Sequence, residues 1–176
     1  MAHTMNENIY KGMPRVYVAC LASYNSGILY GRWIDADQDA DDIAEDIATM
    51  IDGSPTEGAE EWAIHDTECL PGVGEHTDLE TVAEIGQAIA AASEPDALMA
   101  WLEYDSYRTV DEFDDRYCGH FDSPADYAAD YYESIGQDLG PLASYVDWEL
   151  VARDMGIEGT LFIDAKGGGV YCFRDC

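Results

Sequence analysis

The chain has 176 residues, 47% of them apolar and twelve of them Tyr, so it can fold around a core and is not a disordered acidic tail. Its 37 Asp and Glu against 8 Lys and Arg give a formal net charge of −29, which argues against nucleic acid as a direct partner and calls for a basic one. Five scattered cysteines without a C-x-x-C pair exclude a disulfide framework and a zinc site; with no apolar leader and no run near the ~18 residues that span a bilayer, a cytoplasmic chain is expected.

After a short polar tail, Val16–Leu21 (VYVACL) predicts a strand, Tyr24-Asn25-Ser26-Gly27 a turn, and Ile28–Ile34 (ILYGRWI) the returning strand of a hairpin. The charge-dense Asp35–Asp42 leads into a helix whose apolar stripe is Ile43, Ile47, Met50 and Ile51, ended by Gly53-Ser54-Pro55. Glu61–Thr67 reads as a third strand. Leu70-Pro71-Gly72-Val73-Gly74 then breaks the pattern and marks the best boundary.

Thr77-Asp78-Leu79-Glu80 fits a capping box with Thr77 as the cap, opening a helix that carries Leu79, Val82, Ala83, Ile85 and Ile89. Ser93-Glu94-Pro95 opens another with Leu98, Met99, Trp101 and Leu102, and a third short piece falls around Val110–Tyr117. Ser123-Pro124 places a preferred cap before a Pro at the first helical position, for a helix to about Ile135 that packs Ala128, Tyr131, Tyr132 and Ile135. A helix from Pro141 through Trp148, Val151 and Met155 stops at Gly156. Thr160–Asp164 and Val170–Phe173 close the chain as a hairpin around three glycines. Sheet and helix segregate along the sequence, so the class is α+β.

The charge is organised in two ways. Between Arg32 and Arg108 there is no Lys or Arg but there are 21 carboxylates, more than any local ion-pair lattice could neutralise. Around the helix that Ser123 opens, Asp122, Asp126, Asp130 and Glu133 recur at intervals of four, four and three and line one face. A helix rises ~1.5 Å per residue, so this face offers a charge per roughly 5 Å, against one per ~1.7 Å of duplex axis. Several such elements together could approach the charge density of DNA.

Other chemistry is weaker. Asp35–Asp46 begins like a calcium loop but has Ala40 where the turn glycine belongs and Asp46 in place of the closing Glu, so no metal is expected. Gly167–Gly169 lacks the Lys and helix start of a phosphate loop, and His65-Asp66 has no nucleophile or second ligand. With 37 acids, a glycosidase-like carboxylate pair carries no information. No catalytic residue and no cofactor is expected.

Four blocks, in order, are similar to the ArdA antirestriction family: RVYVACLASYNSGILYGRWID (Arg15–Asp35), EEWAIHDTE (Glu60–Glu68), FDSPADYAADYYESIG (Phe121–Gly136) and SYVDWELVARDMGIEGTLFIDAKGGGVYCF (Ser144–Phe173). Leu70–Asp115 matches in composition rather than motif. The resemblance implies an elongated string of three small domains: after a tail (1–14), an α+β domain (15–75), a mainly helical middle (76–119) and an α+β domain that dimerises (120–176). It implies carriage on mobile genetic elements and inhibition of type I restriction-modification enzymes by occupying their DNA-binding groove. The acidic side chains would stand for phosphates, notably Asp122, Asp126, Asp130 and Glu133, with Asp111, Glu112, Asp114 and Asp115 as a second cluster. The alternative is an acidic cytosolic domain adapted to high salt, with another protein-binding role.

Overall fold

The computed structural model describes residues 12–137 and 139–174. Most of the expected tail, with His3, lies outside them, as does Cys176. The chain divides into two compact units, 1–95 and 96–176. The helices expected to form a middle domain are thereby shared between the two.

In the first unit, β1 (Arg15–Cys20) is the centre of a three-stranded antiparallel sheet, flanked by β2 (Gly31–Asp35) and β3 (Trp62–Glu68). Val16, Val18, Ala19 and Cys20 are buried on β1, as a run of apolar residues on a central strand dictates. The hairpin forms, with Val16 opposite Ile34, but its connection is a helical turn, α1 (Leu21–Asn25), so Ile28–Tyr30 is not strand. α2 (Ala40–Asp52) buries Ile43, Ile47 and Met50. α3 (Leu79–Ala91) packs against α2 with Val82, Ala83, Ile85 and Ile89 inward. Its cap is Asp78, whose carboxylate accepts the Thr81 N–H at 2.8 Å; Thr77 instead accepts from the Gly74 N–H, so the cap lies one residue past the expected one. Gly86 lets α3 approach the chain after β2, because a Cβ there would lie 2.0 Å from the Ala36 carbonyl oxygen.

The second unit holds α4 (Pro95–Tyr104), the short α5 (Phe113–Arg116), β4 (Tyr117–Phe121), α6 (Pro124–Ser134), a 3-10 turn (Gly140–Tyr145), α7 (Trp148–Ile157), β5 (Thr160–Asp164) and β6 (Val170–Arg174). Its antiparallel sheet runs β4-β6-β5, with the last strand central. β4 is an addition to the sequence reading. Its Tyr-Cys-Gly-His-Phe has little intrinsic strand signal, and the pairing partner lies some fifty residues away, with a bulge between Tyr117 and Gly119.

The central strand is buried on both faces. Phe173 meets Trp101, Phe113 and Tyr117, with the Trp101 and Phe173 ring centroids 4.8 Å apart. Cys172 and Val170 meet Tyr127, Ala128, Ala152 and Met155 from α6 and α7. The helix expected from Pro141 is two elements, because Asp147 caps a fresh start by accepting the Leu150 N–H at 3.0 Å. It also runs one residue past Gly156. No helix among the described residues is long and apolar enough to cross a membrane.

Candidate functional site

α6 has the geometry that its sequence specifies. The Ser123 hydroxyl accepts the Asp126 N–H at 3.2 Å, and Pro124 occupies the first turn, where a missing N–H costs nothing. Tyr127 and Ala128 are buried on the inner face, with Tyr131 and Tyr132 partly so, while Asp122, Asp126, Asp130 and Glu133 are all exposed. Ile135, expected in the core, is 52% exposed: the helix ends at Ser134, and Ile135 is its cap, beyond the sheet that α6 covers.

Burial, reinforced by Cys118, raises Tyr127 above its ordinary range and pushes the Cys172 thiol up to about 12. Both are core groups of one buried cluster rather than the lining of an open site.

The second cluster is less uniform. Asp111, Asp114 and Asp115 are exposed around α5, but Glu112 is half-buried and lies 3.6 Å from Arg116 one helical turn on. Arg116 therefore offsets part of the charge that the sequence places there.

Between the two arginines that bound the base-free stretch, 19 of the 21 carboxylates are exposed. The two exceptions are informative. Asp46 takes Arg32 at 2.7 Å, and Glu68 takes Arg15, whose guanidinium also lies 4.8 Å from the Trp33 ring centroid. Both arginines of the first unit's sheet are thus spent on the two half-buried acids. The exposed ones lie in loops as well as on helices, and the helices contribute Asp41, Glu45 and Asp52 on α2 and Glu80 and Glu84 on α3. These five were not singled out from the sequence, although their spacing of four or eleven residues was there to be read.

Self-repulsion is partly offset by where the acids sit. α2, α3, α4, α6 and α7 each have an acid in the first turn and no base in the last, so the positive end of each helix dipole meets negative charge. At Asp78 the backbone N–H of Thr81, and then its hydroxyl, hold the carboxyl below its usual range.

Among the described residues, no group of three or more His, Cys, Asp or Glu is arranged to hold a metal. Gly167-Gly168-Gly169 forms the β5–β6 hairpin turn, where the Gly168 carbonyl lies 2.8 Å from Nε2 of His120. His65 stands edge to face with Tyr24.

Compared with known proteins, residues 16–168 match the family model described as antirestriction protein (ArdA). No curated protein matches the chain significantly. The family match spans both compact units, including the stretch between the four sequence blocks.

Proposed function

The chain belongs to the ArdA family of antirestriction proteins, and from that premise we propose that it occupies the DNA-binding groove of a type I restriction-modification enzyme, its carboxylates taking the place of phosphates. The observation that carries this reading is the exposure of 19 carboxylates over residues 33–107 with no Lys or Arg among them. A protein groove built for a polyanion presents Lys and Arg at phosphate spacing, and an acid surface without internal counter-ions leaves its field available to them.

One helix face such as α6 supplies about one charge per 5 Å, roughly a third of the linear density of duplex DNA. No single face is dense enough alone, and the binding is collective rather than residue-specific. The protein acts by occupancy and performs no reaction. It works as a homodimer in the cytoplasm, protecting DNA that arrives with the mobile element encoding it. Ile135, Leu142, Tyr145, Leu150 and Ile157, all exposed in the second unit, supply the apolar surface that such a dimer needs.

The test is inhibition of purified type I enzymes over a salt series. The proposal expects cleavage of unmodified plasmid to stop at near-stoichiometric protein in low salt and to recover as salt screens the contact. Full cleavage at excess protein in low salt would overturn it.

A further inference from the structure

We propose that a cleft at the end of β3 in the first unit binds a single arginine side chain of the protein partner. It has a volume of about 580 Å³ and is lined by Tyr24, by Ile64, His65, Asp66 and Thr67 of β3, and by Val73, Gly74 and Glu75 of the following loop. That is within the ~300–1,000 Å³ usual for small-ligand sites, and ample for one side chain. The inference rests on the proposed occupation of a type I enzyme's groove only for where the arginine comes from.

The cleft is shaped by a departure from regular strand geometry. A strand alternates its side chains, yet His65 and Asp66 are both exposed in sequence. β1 pairs Tyr17 with Asp66 and Val18 with Ile64, so His65 is an extra residue on β3, and this bulge turns two successive side chains outward. His65 then meets Tyr24, with ring centroids 4.9 Å apart at 84°, and fixes an aromatic wall that is 51% exposed.

The remaining wall is anionic. Asp66 accepts the Thr67 N–H through Oδ1 at 2.8 Å, which orients the carboxylate and leaves Oδ2 for a ligand. Glu75, in the facing loop, is exposed, and among the described residues neither acid has an ion-pair partner. An aromatic face beside two carboxylates suits a planar guanidinium, which stacks and forks at once; an ammonium does neither as well. A collective field selects for charge alone, whereas this cleft selects arginine over lysine.

The full chain, labelled with ¹⁵N, is titrated with N-acetyl-arginine amide and separately with N-acetyl-lysine amide in low salt. Saturable shifts confined to residues 24, 64–67 and 73–75, at least fivefold tighter for arginine, are expected. Tyr24→Ala and the pair Asp66→Asn with Glu75→Gln should abolish them, while Tyr24→Phe, which keeps the ring, should retain them. Equal shifts from both amides over the whole acidic surface, or full binding by Tyr24→Ala with its spectrum otherwise intact, would overturn the cleft. Saturable arginine binding by a chain that fails to inhibit any type I enzyme would support the cleft and remove the proposed occupation of a type I enzyme's groove instead.

Discussion

Each unit builds a three-stranded antiparallel sheet, with its first strand central in one and its last in the other, and the two treat charge differently. Residues 1–95 hold 19 carboxylates and three cations; residues 96–176 hold 18 and five. In the first unit both described arginines neutralise half-buried acids on the sheet and α2, so the exposed carboxylates are left to themselves. In the second, Arg116 likewise pairs with the half-buried Glu112, but cations also reach exposed acids: Arg153 pairs with Asp154, and Lys166 lies 3.8 Å from Glu103. Net charge alone would rate the halves nearly equal. The placement of the few bases makes the first unit the stronger field and leaves the α6 face as the main one in the second.

The largest expected effect is on the second unit's core. Trp101 is fully buried against Phe173, its Nε1 donates to the Thr109 carbonyl at 2.9 Å, and Arg108 lies 4.2 Å over its ring. Trp101→Ala should cost about 3–5 kcal/mol in urea unfolding. Next comes the comparison itself. Converting Asp41, Glu45, Asp52, Glu80 and Glu84 to their amides should weaken inhibition by more than about tenfold, taking each exposed charge at ~0.2–1 kcal/mol. The quadruple change at Asp122, which precedes the cap of α6, and at Asp126, Asp130 and Glu133 on the helix should weaken it by somewhat less, on the order of tenfold. If the α6 set were much the more damaging, the contrast between the units would be reversed.

Smaller effects sharpen the picture. Ser123→Ala should cost about 1 kcal/mol by removing the cap of α6, without altering the charge of its face. For α3 the sign follows from the depressed Asp78 pKa: the cap contributes fully above the ordinary Asp range and is lost as pH falls through the lowered value. NMR titration of the Asp78 carboxyl checks this. Smallest of all is Asp130→Asn, expected to change inhibition less than about threefold; abolition by that change alone would contradict a collective field.

What the sequence made legible was whatever is decided locally. The stripe of Ile43, Ile47 and Met50, the Ser123-Pro124 start and the glycine hairpin between β5 and β6 involve neighbours in the chain, and each forms where expected. β4 was not legible, because pairing with β6 rather than its own residues makes Tyr117–Phe121 a strand. Nor was the sharing of the middle helices, which follows from Trp101 reaching Phe173 while α3 packs on α2. In the candidate site, the spacing on α6 identified an exposed face, whereas the part-neutralisation of Glu112 depends on how Arg116 is turned. The bulge at His65 exists only in the pairing of two strands and leaves no mark on either one.

The most direct measurement is competition for the enzyme itself. A fluorescent duplex carrying the recognition site is bound to a type I restriction-modification enzyme, and the chain is titrated in at low and at high salt. Mimicry by this surface predicts complete displacement of the duplex with near-stoichiometric protein at low salt, fading as salt is raised. A duplex that stays bound at large excess of the chain, or that is displaced equally well at every salt concentration, would contradict it.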